Sequence, residues 1–104
     1  MTAYLIVRAE VPAPADRQPF DRWYQHEHLP DAVKAFNARR GWRGWSTVDP
    51  KLHYAVYEFA DLAALQAIQG GQVMQALIAE FDRNWGTRVT RSRELVDCVQ
   101  AMPA

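Results

Sequence analysis

Between Ala3 and Val11 the chain alternates: Leu5, Val7, Ala9 and Val11 fall on one parity, and Tyr4, Ile6, Arg8 and Glu10 on the other, the two-residue period of a strand. Pro12 and Pro14 end it, since neither has an N–H to give to a ladder, and Asp16 is placed to cap a first helix. There the period changes. Phe20, Trp23 and Tyr24 recur at three- and four-residue steps, and Ala32, Val33 and Phe36 continue the stripe beyond Pro30. Pro30 removes one helical hydrogen bond and crowds the carbonyl of His26, so the helix is expected either to kink or to restart with Pro30 in the first turn of a new segment. Gly41–Val48 reads as a second strand in which Gly44 marks a bulge, and Asp49-Pro50-Lys51 as a turn. Leu52–Phe59 is the clearest strand, with His53, Ala55, Tyr57 and Phe59 on one side, and the short gap makes a hairpin of the two. Asp61 caps a second helical region carrying Leu62, Leu65 and Ile68. Gly70-Gly71 interrupts that region, and Val73, Leu77, Ile78, Phe81 and Trp85 resume it as far as Gly86. Thr87–Val99 is a fourth strand of mixed pattern, because Arg91 and Arg93 share a parity with Val89, Leu95 and Val99.

The order βαββαβ predicts a ferredoxin-like α+β fold: an antiparallel sheet with two helices on one face, residues 1–104 forming a single domain. Two helices cover one face only, yet the first and third strands are apolar on both parities, so a second copy is expected to cover the other face. Such a homodimer would also enclose a ligand cavity between the packed sheets. Twelve Lys and Arg residues against 12 Asp and Glu give zero formal charge, which argues against nucleic-acid or anionic-membrane partners. No apolar stretch approaches a bilayer span, and the N-terminal run reads as a strand rather than a signal peptide. A lone Cys98 cannot form an internal disulfide and fits a reducing, cytoplasmic compartment.

Several chemistries are unsupported. Gly-x-Ser-x-Gly, phosphate loops and dinucleotide fingerprints do not occur, so no cofactor is expected. In His26-Glu27-His28 the two imidazoles are two residues apart and diverge on a helix, whereas chelation wants the fourth position, so no metal is expected.

The stretch Phe20-Asp21-Arg22-Trp23-Tyr24-Gln25-His26-Glu27-His28-Leu29-Pro30-Asp31 carries an aromatic pair, a histidine four residues on, and a proline. It resembles the helix-one signature of the EthD-like group of dimeric α+β barrels. Tyr54–Phe59, and Glu80–Trp85 followed by a strand with Arg91 and Arg93, resemble later parts of that group, while Phe36–Trp42 departs from its usual Pro-Gly-Phe turn. The resemblance implies a dimeric barrel handling small molecules, in a superfamily of lactone isomerases, polyketide cyclases, and haem-degrading and other monooxygenases. It marks His28 as the signature histidine, and Tyr24, one helical turn earlier, is positioned to orient it. The expected activity is cofactor-independent proton transfer through His28 on a small, mainly apolar lactone, phenol or polyketide-like ring.

A non-catalytic small-molecule-binding dimer is the competing class, with His28 bracing the break at Pro30. A haem-linked or cofactor-free monooxygenase is the third, with His53 the only strand histidine able to reach a haem. Arg8 is a candidate for a substrate carboxylate or enolate, or for an ion pair with Glu10 or Glu58. His53 and Tyr57 become wall residues if their strand face looks into the cavity, and core residues if it packs on the helices. Trp23 and Trp45 are candidate stacking surfaces.

Overall fold

Strands β1 (Ala3–Glu10), β2 (Arg40–Trp45), β3 (Leu52–Phe59) and β4 (Thr90–Asp97) form one antiparallel sheet in the order β2-β3-β1-β4 in the computed structural model, which describes residues 1–103. Helix α1 (Pro14–Trp23), a π-helical turn over Tyr24–His28 and helix α2 (Leu29–Phe36) follow one another without a break, and α3 (Leu62–Ile68) and α4 (Gln72–Trp85) lie between β3 and β4. This is the ferredoxin-like α+β arrangement. Register sets the two faces: Leu5 stands opposite Tyr57 and Leu95, and Val7 opposite Ala55 and Arg93, so the odd-numbered residues of all four strands share the side that meets the helices. Leu5, Phe20, Tyr24, Tyr57, Leu65 and Phe81 fill the core there.

Local expectations hold or fail for identifiable reasons. Asp61 does cap α3, its Oδ1 accepting from the Ala64 N–H at 2.8 Å. Asp16 does not cap α1. The helix begins two residues earlier with Pro14 in its first turn, where a missing N–H costs nothing, and the Asp16 carboxylate pairs instead with Arg88 at 3.0 Å. β2 is shorter than Gly41–Val48 and has no bulge, pairing without interruption from Arg40 opposite Glu58 to Trp45 opposite His53. Its glycine at position 41 answers to packing rather than to a bulge. A Cβ there would sit 2.6 Å from Val33 Cγ2 and 3.3 Å from Tyr57 Cδ1, so the absent side chain lets α2 approach the sheet. β4 is likewise shorter than Thr87–Val99.

The even-numbered face carries Tyr4, Ile6, Trp42, Tyr54 and Val56 around an open groove of about 680 Å³, with Trp42 49% exposed. Arg8 is on this face, exposed, and forms no ion pair with Glu10 or Glu58 among the described residues. No helix among the described residues is long and apolar enough to cross a membrane.

Gly41→Ala is expected to lower unfolding stability by about 1–3 kcal/mol through overpacking against a β-branched neighbour with few rotamers. Val33→Ala in the same chain should recover part of that loss relative to Val33→Ala alone, measured by urea denaturation as a non-additive double-mutant cycle.

Candidate active site

The π turn is the local response to Pro30. A proline donates nothing to the helix ladder, and the preceding residue closes it differently: the Leu29 N–H bonds the Tyr24 carbonyl, five residues back. The α-helix restarts at Leu29 with Pro30 in its first turn, as one of the two sequence expectations had it, and the π turn that joins it to α1 is what the sequence did not predict. In an α-helix, residues five apart diverge by about 140°. Here the wider turn brings Trp23 beneath His28, the rings stacked at 4.5 Å with only 16° between their planes. Tyr24 meets the same imidazole edge-on at 4.9 Å. His26 is exposed while His28 is buried, so the two do not converge. His28 does not cap the following helix, and its Nδ1 is buried with no hydrogen-bond partner.

His28 opens onto a cavity of about 30 Å³ between the sheet and the helices, lined also by Tyr24 and Phe36, by Tyr57 of β3 and by Leu5 and Val7 of β1. Met74, Leu77, Ile78 and Phe81 of α4 close one side, and Arg91 and Arg93 of β4 supply its positive charge. This cavity lies within one chain, on the face opposite the groove around Trp42. Its volume holds one or two waters.

The expected site residues therefore divide. His28, Tyr24 and Tyr57 line the cavity; Trp23 supports His28 from behind. His53 is fully buried beside Phe20, Tyr24 and Trp45, and is not in the cavity wall. Its face packs on the helices, and enclosure by these rings leaves no room for a haem at its nitrogens. Trp45 lies beyond His53 and donates its indole N–H to Asp21 Oδ1 at 2.8 Å. Arg8 is on the opposite face of the sheet, and the guanidiniums that line the cavity are those of Arg91 and Arg93. Those two were missed because charge at apolar-parity positions of the fourth strand reads as a poor strand. The same pattern was the available signal: an arginine on a core-facing parity must meet a partner, an aromatic face, a ligand or solvent at the edge of the sheet.

Behind the cavity runs a second polar chain. Arg43 Nη1 lies 2.8 Å from Asp21 Oδ1 and 3.3 Å from His53 Nε2. An arginine only donates, so Nε2 accepts and Nδ1 carries the proton, without a partner. The centre of the His53 ring is 4.5 Å from that of Tyr24, and the network fixes that wall of the site.

Charge at the site follows from burial. Desolvation first, then the positive charges of Arg91 and Arg93, lower His28 to about 4. Desolvation and Arg43 lower His53 to about 3. Burial raises Tyr24 to about 12 against the opposing effects of neighbouring Tyr57 and the arginines, and Tyr57 is raised by burial and by Tyr24. At neutral pH the cavity thus presents an uncharged imidazole, two neutral phenols and two guanidiniums. Arg91 is anchored, 3.2 Å from Asp82 Oδ1 and 4.0 Å above the Phe81 ring. The set is suited to taking a proton at His28 while negative charge develops near the arginines.

No protein-family model and no curated protein matches the sequence. Solved structures do match the fold. An EthD family protein from Bacillus halodurans superposes with a TM-score of 0.68 at 22% identity, over 90% of this chain and 97% of its own. SnoaB from Streptomyces nogalater, a cofactor-independent oxygenase, gives 0.62 at 14% identity, over 99% and 98% of the two chains. A dimeric ferredoxin-like protein from an uncultured marine organism gives 0.63 at 15% identity, over 97% and 98%. At these identities the likeness establishes a shared fold.

The two lowered imidazoles link stability to pH. Each is neutral in the folded chain and protonates more readily when unfolded, near the ordinary 6.5, so their contribution is complete above that value. It declines as pH falls below 6.5 through about 4 for His28 and about 3 for His53. Melting temperature should therefore be level with respect to these groups above pH 7 and fall through this window, and His28→Gln should make that fall shallower.

Proposed function

We propose that this chain is a cofactor-independent enzyme in which His28 takes a proton from a small, mainly apolar oxygenated molecule such as a lactone, phenol or polyketide-like ring. One observation carries the proposal: a buried, uncharged imidazole with an unpartnered ring nitrogen, held by Trp23 and opening onto an apolar cavity beside two guanidiniums. Trp23 orients the imidazole by stacking on it at 4.5 Å, with Tyr24 edge-on at 4.9 Å beside it. The cofactor-independent oxygenase SnoaB, built on the same fold, lends support to chemistry without a bound cofactor. A ring-sized substrate enters by displacing the Met74, Leu77 and Ile78 side chains; methionine adapts readily and Ile78 is only half-buried. The alternative is a binding protein with the same cavity and an inert histidine.

The proposed unit is a homodimer paired through the apolar sheet face around Trp42, as the dimeric relative of like fold supports. Sedimentation at micromolar concentration should give a dimer and Trp42→Glu a monomer. A wild-type monomer there would refute the pairing.

Solvent-deuterium exchange into small lactones and cyclic 1,3-diketones, followed by NMR, tests the chemistry. His28→Ala should slow exchange by about 100- to 10,000-fold, and Tyr24→Phe by less. Exchange unaffected by His28→Ala, or absent in the wild type, would favour the binding protein.

A further inference from the structure

Two arginines stand side by side on the helix-facing parity of β4, opposite Ala9 and Val7, where a strand ordinarily carries apolar groups. The surroundings account for Arg91: its guanidinium has the Asp82 carboxylate and the Phe81 ring. Arg93 is different. It lines the same cavity, and among the described residues it forms no ion pair and no side-chain hydrogen bond. One carboxylate on two adjacent guanidiniums leaves uncompensated positive charge at an otherwise apolar cavity. Arg93 is solvent-exposed at the cavity rim, with partial desolvation and the neighbouring Arg91 both acting against its charge, which leaves it free to receive an anion. An anion between Arg93 and His28 removes the imbalance, and the planar guanidinium fork matches a planar oxyanion.

Resting on the reading of His28 as proton acceptor, we propose that Arg93, with Arg91 beside it, binds the oxyanion of a planar substrate whose apolar body extends into the cavity. The substrate class is a carboxylate, or an enolate or phenolate, conjugated to a small ring. Burial is the main reason His28 is unprotonated, and the arginines add to it; a bound anion offsets the arginines' share and so makes the imidazole a better proton acceptor.

Calorimetric titration of the full chain with benzoate, with its uncharged counterpart benzamide, and with 4-nitrophenolate tests the assignment at fixed ionic strength. At least one of the two anions should bind, benzoate more tightly than benzamide if the ligand is a carboxylate. Arg93→Ala should weaken the anion that binds by about 10- to 100-fold, the range of a charge-assisted hydrogen bond, without changing benzamide. Arg93 is exposed and unpaired, so this variant retains its fold, and Arg93→Lys, which keeps the charge without the fork, should fall between. Benzoate binding alone identifies a carboxylate, and 4-nitrophenolate binding alone a phenolate or enolate. Anion affinity unchanged by Arg93→Ala, or neither anion bound, overturns the inference. Anion binding and exchange fail separately: Arg93-dependent anion binding by a wild-type chain that shows no deuterium exchange leaves the anion site standing and the histidine inert, whereas exchange lost in His28→Ala without Arg93-dependent anion binding leaves the proton acceptor standing and overturns this inference.

Discussion

The missing N–H of Pro30 organises the candidate site. A helix that cannot complete its regular ladder at this proline widens by one residue, closing Leu29 onto the Tyr24 carbonyl. That change of pitch places Trp23 and Tyr24 together against His28, and it lets an imidazole be buried without a hydrogen bond at Nδ1. With a regular α turn the stacking partner would point away from the histidine. The position of His28 and its burial against Trp23 and Tyr24 go with this turn.

Burial of uncharged histidines next to cations is the second constraint. His28 stands near Arg91 and Arg93, and His53 near Arg43; in both cases desolvation and positive neighbours disfavour the imidazolium. The two sites are nevertheless unlike. Arg43 is tied to Asp21, which also holds Trp45, so the charge around His53 is locally balanced and the group braces the wall behind Tyr24. Around His28 the balance is incomplete, and the surplus faces the cavity. This contrast separates a structural histidine from a candidate functional one more clearly than burial does, since both are buried.

The sheet divides these roles between its faces. Its helix-facing side holds the core, the cavity and the arginines; its other side exposes Trp42 and the groove around it. Close approach of α2 to the sheet, permitted by Gly41, keeps the inner cavity down to about 30 Å³. The chain thus presents a tight apolar chamber on one face and a broad sticky surface on the other.

Periodicity along the chain determined the order of strands and helices, because the two-residue period of Leu5, Val7 and Ala9 and the three- and four-residue steps of Phe20, Trp23 and Tyr24 belong to different backbone geometries. It also pointed to a helix irregularity at Pro30, since proline chemistry is local. Tertiary structure alone decided what lies opposite what. Whether His53 lines a cavity or sits in the core depends on which layer covers its strand face, and parity is the same in both cases. Arg8 and Arg93 are both strand arginines, yet one faces the open groove side and the other the cavity, a difference set by register and by which side the helices take. That a π turn precedes the restart at Leu29 was equally beyond local reasoning. A kink, a plain restart and a restart through a π turn all satisfy the lost hydrogen bond, and packing of Trp23 and His28 against Phe81 accompanies the π turn.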